Sequence, residues 1–265
     1  MYLHNKVNSF QAGCLKPYLG RWKELTTDYE ILTTVSGLKV EFLNSESLTV
    51  SRGKTSYPVS SKHSTVISNE IAKLVKKRVV AESTPENDEV ISPIFLREKS
   101  DGNFRLILNL KTLNKSVEFH HFKMETIYSI MKLIRKNAFM IKIDIKDAYY
   151  SVPIADVDQK YFKFLHNGQL YKYTALPNGF SPGPRKFTKI VKVPLATLRQ
   201  QDKIIVAGYI DDLFSTDMPF AACQQNVFKI VAMFDKLGFV VHPDKSEFEP
   251  KQEIEYLVLY LTLEK

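Results

Sequence analysis

Cysteine is scarce in these 265 residues: there are two, Cys14 and Cys223, far apart in the chain. That excludes a disulfide framework and a cysteine-rich zinc site. No apolar run approaches the ~20 residues that a membrane-spanning helix needs. The first residues carry His4, Asn5 and Lys6 but no apolar stretch, so a secretory signal is not expected. No repeat and no heptad array is visible. Apolar residues are not lacking: at 44% hydrophobic and 25% charged the composition is that of a globular protein, and wholesale disorder is excluded. Acidic side chains are the rarer sign. Lys and Arg number 37 against 29 Asp and Glu, leaving a net charge of +8. A polyanionic partner fits that balance, which by itself says nothing about fold. At roughly 100–200 residues per domain, the length allows one large domain or two smaller lobes. The expectation is an intracellular protein of the cytoplasm or nucleus, not secreted and with no membrane partner.

Residues 1–65 are polar and weakly periodic, with Ser, Thr, Asn and Lys clustered from Asn44 to Ser64. They read as a loosely packed lead-in with one or two short helices. Trp22, Leu25, Tyr29 and Leu32 recur at helical spacing over 19–32, against the β-branched Thr26 and Thr27. A clearer helix begins at Ser68, an N-cap ahead of Ile71, Leu74 and Val75. Its other side, Lys73, Lys76, Lys77 and Arg78, reads either as a solvated face or as a phosphate-contacting edge. Strands over 91–97 and 104–108 flank the turn signal Ser100-Asp101-Gly102-Asn103, which places Lys99 and Arg105 near the ends of a mobile loop. Ile127, Ile130, Met131 and Ile134 form one apolar helix face within 125–135.

From residue 139 the order is strand, hairpin, helix, strand hairpin, helix, strand. The strand 139–145 leads to Asp144, and strands 161–165 and 170–174 flank Asn167-Gly168. A helix over 185–198 is disturbed at Pro194. The apolar strand 204–210 ends in Asp211-Asp212, and Phe214 begins its return partner. A long amphipathic helix over 220–237 is closed by Gly238, before a further strand at 239–241. Helices segregated on one face of a mainly antiparallel sheet satisfy this order, an α+β domain.

Three aspartates carry the most information. Asp144 ends one apolar strand, and Asp211 and Asp212 sit together at the tip of another. Tight hairpin tips favour Asn-Gly or Asp-Gly; this tip has two carboxylates and no glycine. Like charges held this close repel and raise one pKa, and a bound divalent cation removes that penalty. Oxygen ligands with no nearby Cys or His select Mg²⁺ over Zn²⁺. Two such ions, about 3.5–4 Å apart, can activate a 3′-hydroxyl and stabilise leaving pyrophosphate. Asp147, three residues beyond Asp144, reads as a turn cap.

These residues match a known family. Tyr209-Ile210-Asp211-Asp212 resembles the YxDD motif of reverse transcriptases, and residues 144–153 (DIKDAYYSVP) resemble that family's first catalytic block. Leu176-Pro177-Asn178-Gly179-Phe180 is similar to its LPxG block. Ser92-Pro93-Ile94, Asp101-Gly102-Asn103-Phe104-Arg105 and Leu113-Asn114 are similar to its fingers blocks. The blocks follow the family's order and spacing across roughly residues 70 to 262. The phrase Phe119-His120-His121-Phe122-Lys123-Met124-Glu125, with Gly20-Arg21-Trp22-Lys23-Glu24-Leu25-Thr26 upstream, resembles the DIRS-like, tyrosine-recombinase retrotransposons. The histidine pair reads as structural, since no cysteine neighbours it.

The resemblance implies an α+β right-hand polymerase: fingers and palm, with an antiparallel palm sheet backed by helices and no thumb. It implies a lead-in at 1–65 and a reverse transcriptase domain at 66–265, the fingers at about 66–125 with part of 146–180 and the palm at about 126–265. It implies a nucleotidyltransferase that adds dNTPs to a primer 3′-hydroxyl on an RNA or DNA template. Asp144 and Asp211, assisted by Asp212, would hold two Mg²⁺ ions, with Mn²⁺ as the alternative. Tyr149 would clash with a 2′-hydroxyl. Lys99 and Arg105 would neutralise the triphosphate, Asn178 would touch the nucleotide, Lys245 would protonate pyrophosphate, and Tyr209 would support the primer end. The ribonuclease H and recombinase of a retrotransposon polyprotein are implied partners.

Departures from the family pattern bear on this. Asn178 stands where many members carry glutamine, and Val258 follows Tyr256-Leu257 where a glycine is usual. The chain ends at Lys265 without a thumb, ribonuclease H, protease or recombinase, so weak binding and poor processivity are expected. A truncated transposon remnant that keeps the fold and binds nucleic acid without polymerising is the alternative. An RNA-directed RNA polymerase is a third reading; Ile210 and Tyr149 disfavour it.

Overall fold

The computed structural model describes residues 2–43, 61–98, 102–257 and 259–262. Lys99, Asp101 and Val258 lie outside the described residues, as do Ser100 and the chain from 44 to 60. Among the described residues, eight α-helices and eleven strands run in this order: α1 (Tyr2–Asn8), α2 (Leu19–Leu25), α3 (Tyr29–Gly37), α4 (Ser61–Lys76), β1 (Val80–Ser83), β2 (Ile94–Glu98), β3 (Phe104–Leu108), α5 (Lys111–Ser116), α6 (Ile127–Met131), β4 (Phe139–Asp144), β5 (Lys163–His166), β6 (Gln169–Tyr173), α7 (Gly183–Gln201), β7 (Val206–Tyr209), β8 (Asp212–Asp217), α8 (Phe220–Lys236), β9 (Glu247–Lys251), β10 (Glu253–Tyr256) and β11 (Leu259–Thr262). Among the described residues, no helix is long and apolar enough to cross a membrane.

The central sheet has strand order β7-β8-β4-β9, antiparallel throughout. Period-two alternation decides its faces. Ile141 and Ile143 of β4 and Leu213 of β8 enter the main core, where α7 and α8 pack. Met140, Ala207 and Phe214 point the other way, into a smaller cluster closed by Ile130, Ile254 and Tyr256. Asp144 and Asp212 are a cross-strand pair at the end of that second face. A second antiparallel sheet, β1-β6-β5, turns at Asn167 and Gly168, both with positive φ. A two-residue turn with both central residues there suits a tight hairpin. Hairpins β2-β3 and β10-β11 complete the α+β fold.

Several sequence expectations change. The stretch about 19–32 does hold two short helices, the second running on to Gly37, where Asp28 accepts from the Ile31 N–H and caps the new start. Residues 2–43 are not loosely packed. Phe10, Leu15, Trp22, Ile31, Val35 and Leu38 are buried in the main core, and the Trp22 indole donates to the Leu237 carbonyl at 3.1 Å. The helix expected from Ser68 begins at Ser61, and Ser68 instead meets His166 at 2.8 Å. The helix of 125–135 shortens to α6, started by a Thr126–Ser129 capping box. Pro194 lies buried inside an unbroken α7. Residues 239–241 form no strand, only a bridge between Val241 and Ile145.

The lead-in is also fixed by charge. Glu30 of α3 receives Arg185, Lys186 and Lys189 of α7 at 2.6–2.8 Å. Burial pushes the Glu30 carboxyl up, but these cations outweigh it and hold it at about 2. A lowered carboxyl contributes stability that is present above its unfolded value and lost as pH falls through the folded one. Glu30→Gln should therefore cost roughly 1–2 kcal/mol at neutral pH, after solvent screening. The cost should vanish between pH 4.5 and about 2. Thermal unfolding of both proteins across pH 2–7 checks this; parallel curves would refute it.

Candidate active site

The site grows from the end of the central sheet. β4 delivers Asp144 as its last residue, and β8 delivers Asp212 opposite it. Asp211 sits in the two-residue tip between Tyr209 and Asp212, and its carbonyl accepts the Ile145 N–H at 2.8 Å. The other tip residue, Ile210, has φ +55°. A β-branched residue there is strained by roughly 1–3 kcal/mol and persists only where its surroundings enforce it. The Tyr256 hydroxyl, donating to the Asp212 carbonyl at 2.9 Å, fixes one arm of this hairpin.

Asp144 is held by the loop after α8. Its N–H donates to Ser246 Oγ at 3.0 Å, and its carbonyl accepts from the His242 N–H at 2.9 Å. Ser246 Oγ in turn donates to the His242 carbonyl. That loop brings Lys245 to the same place.

These elements enclose a polar cavity of about 290 Å³, lined by Arg105, Asp144, Asp147, Tyr149, Tyr150, Asn178, Asp211, His242 and Lys245 among others. The structure thus brings together Arg105, Asp144, Tyr149, Asn178, Asp211 and Lys245. Asp212 and Tyr209 stand beside the cavity as a cross-strand pair and do not line it. Tyr149 packs edge-on against Phe187, with ring centroids 5.4 Å apart. Asn178 Nδ2 reaches the Tyr150 hydroxyl at 3.5 Å. Its loop is anchored by Asn114, which donates to the Gly179 carbonyl and accepts from the Ser181 N–H.

Asp147 does not cap the turn that follows it. It has φ +47° and pairs with Lys77 at 2.7 Å and Lys146 at 3.7 Å. Lys77 is thus spent on an ion pair, not on a solvated face. His242 and Tyr150 were assigned no role from the sequence, although Tyr150 lies within the 144–153 block and His242 stands three residues before Lys245.

The electrostatics are those of crowded acids. Burial pushes the Asp211 carboxyl up, and Asp144 adds to this. Burial, then Asp211 and Asp144, push Asp212 up to about 6. Burial also raises the Tyr149 hydroxyl to about 12, so it stays neutral at physiological pH. Clustered carboxylates that resist ionisation, offering oxygen donors alone, fit hard divalent cations. Among the described residues, the three possible metal-ligating side chains whose ligand atoms all lie within 4.8 Å of one another are elsewhere: Glu41, Glu118 and His120. There the Lys186 ammonium lies 2.7 Å from Glu41 and already meets its charge.

Residues 97–261 match the family described as Reverse transcriptase (RNA-dependent DNA polymerase). The Pro-Pol polyprotein of Simian foamy virus type 1 is 27% identical over 214 residues, 80% of this chain and 18% of the relative. The Transposon Tf2-3 polyprotein of Schizosaccharomyces pombe is 21% identical over 196 residues, 74% of this chain and 14% of the relative. This chain thus spans less than a fifth of those relatives' length. A foamy viral protease-reverse transcriptase solved with dsDNA has the same fold, with a TM-score of 0.68 at 21% identity over 93% of this chain and 50% of that one.

Proposed function

Since this chain belongs to the reverse transcriptase family, of the retroviral and retrotransposon type, we propose that it catalyses template-directed addition of dNTPs to a primer 3′-hydroxyl, with release of pyrophosphate. The observation that carries this reading is the convergence of Asp144, Asp211, Arg105, Tyr149 and Lys245 on one polar cavity. The attacking 3′-hydroxyl meets the α-phosphate in line. Positioning and electrostatics supply most of the rate.

Asp144 and Asp211, assisted by Asp212, would hold two Mg²⁺ ions, or Mn²⁺ in their place, which supply charge neutralisation and Lewis acidity. Arg105 binds the triphosphate by its planar fork. Lys99 would add to that charge. Asn178 contacts the nucleotide through a shorter arm than glutamine. Lys245 donates a proton to pyrophosphate, and Tyr209 supports the primer end. The fingers comprise about 66–125 and part of 146–180, and the palm about 126–265, with residues 2–43 as its buttress. The segments Phe119–Glu125 and Gly20–Thr26 support a DIRS-like origin. An RNA or DNA template with primer, and the ribonuclease H and recombinase of a polyprotein, are the partners, inside the cell.

Primer extension on poly(rA)–oligo(dT) with dTTP tests this. Extension with Mg²⁺ and none with chelator is expected. A chain that binds the duplex but never extends it would be the nucleic-acid-binding remnant instead. Tyr149 sets sugar choice by bulk alone. Tyr149→Ala should lower the dNTP-to-rNTP ratio of kcat/KM by roughly 10–100-fold, while Tyr149→Phe keeps it. Equal ratios for Ala and Phe variants would remove Tyr149 from that role.

A further inference from the structure

Among the described residues β7 is an edge strand, with β8 as its one neighbour. Tyr209 faces Asp212 across the tip, so the hydrogen-bonding groups of Gly208 and Val206 point away from β8. They meet side chains. The Gly208 N–H donates to Glu125 Oε2 at 2.7 Å. Arg199 Nε donates to the Val206 carbonyl at 2.7 Å, and Arg199 Nη2 donates to Glu125 Oε1 at 2.5 Å. The four groups close a ring in which one carboxylate and one guanidinium stand in for the neighbouring strand. Glu125 comes from the segment before α6, and Arg199 from the last turn of α7.

Two further observations give the ring a purpose. Gly208 is pressed from inside: a Cβ there would lie 2.9 Å from Leu195 Cδ1. The strained Ile210 follows two residues later, and Asp211 next. The ring at the sheet edge and Leu195 of α7 therefore both hold β7 at Gly208, three residues before Asp211.

We propose that Glu125 and Arg199 are positioning residues, which hold β7 so that Asp211 reaches the cavity beside Asp144. This rests on the polymerase reading above. Neither side chain lines the cavity; both act through the backbone.

The test uses Glu125→Ala, Glu125→Gln and Arg199→Lys in the whole chain. Gln keeps an acceptor for Gly208, whereas Lys loses the fork that reaches Val206 and Glu125 together. In Glu125→Ala, kcat for single-nucleotide addition should fall about 10–100-fold, with KM for dNTP moving less than about threefold. Glu125→Gln should recover most of that loss. Two readouts need no synthesis. Amide exchange over residues 206–212 should speed up at least about tenfold in Glu125→Ala while α8 keeps its protection. Mn²⁺ affinity, followed by electron paramagnetic resonance, should weaken by roughly tenfold.

Unchanged exchange over 206–212, or faster exchange along the whole chain, would overturn the proposal. So would an unchanged kcat in a chain that polymerises. If the unmutated chain makes no DNA, the polymerase reading falls. Exchange and Mn²⁺ affinity then decide positioning alone: both altered supports it, and either unaltered refutes it.

Discussion

Asp211→Asn should slow nucleotide addition at least about a thousandfold, while the protein unfolds at a higher temperature than the original. The first effect follows from the loss of one of the three carboxylates that line the cavity, which leaves Asp144 and the Lys77-paired Asp147. The amide keeps the shape and removes the charge that would bind a cation. The second effect has the opposite sign for the same reason. Burial and the neighbouring Asp144 raise the Asp211 carboxyl, so at neutral pH its ionisation costs the folded state free energy. Asparagine removes that cost and leaves the tip backbone bond to Ile145 intact. Primer extension and thermal unfolding, run on one preparation, read both. A variant that polymerises normally would remove Asp211 from catalysis; one that loses activity together with stability would make it a structural residue.

Gly238→Ala should destabilise the fold by roughly 2–6 kcal/mol, the sum of backbone strain and overpacking. Gly238 has φ +90°, where a side chain is strained whatever the space. A Cβ there would also stand 2.5 Å from the Cys14 carbonyl and 2.5 Å from Tyr18 Cδ2. The carbonyl belongs to backbone that is itself fixed: the neighbouring Gly13 and Leu15 N–H groups donate to the Tyr150 and Ser151 carbonyls. Relief would thus displace the block that carries Tyr149. Chemical denaturation measures the loss, and a drop below about 1 kcal/mol would show that the N-terminal segment yields easily.

The parts of the fold that were legible in the sequence are those specified locally. Asn167-Gly168 dictates its own hairpin, Gly238 ends α8, and alternation within β4 sends Ile141 and Ile143 one way and Asp144 the other. The paired aspartates were legible because charge at an apolar strand tip needs a reason. What stayed hidden depends on partners far away in the chain. Ser68 has the chemistry of a helix cap, yet its hydroxyl is used by His166. Asp147 looks like a turn residue and is spent on Lys77. Glu125 carried family flavour and no assigned task; its partners are a glycine N–H and an arginine on other elements. The packing of residues 2–43 was hidden for the same reason, since their helices are too short to show which face is covered.

That packing has a consequence for how the protein is made. Trp22 finds its acceptor at Leu237, and His4 finds Asp244. A ribosome adding about 5–20 residues each second reaches those partners roughly 10–40 s after the first helices have emerged. Throughout that interval Trp22 lacks the Leu237 acceptor and the Phe239 ring that it packs against. A nascent chain held by a trigger-type chaperone, or cleaved by protease added during synthesis, would register this exposure, and protection should arrive only once residue 239 has left the exit tunnel.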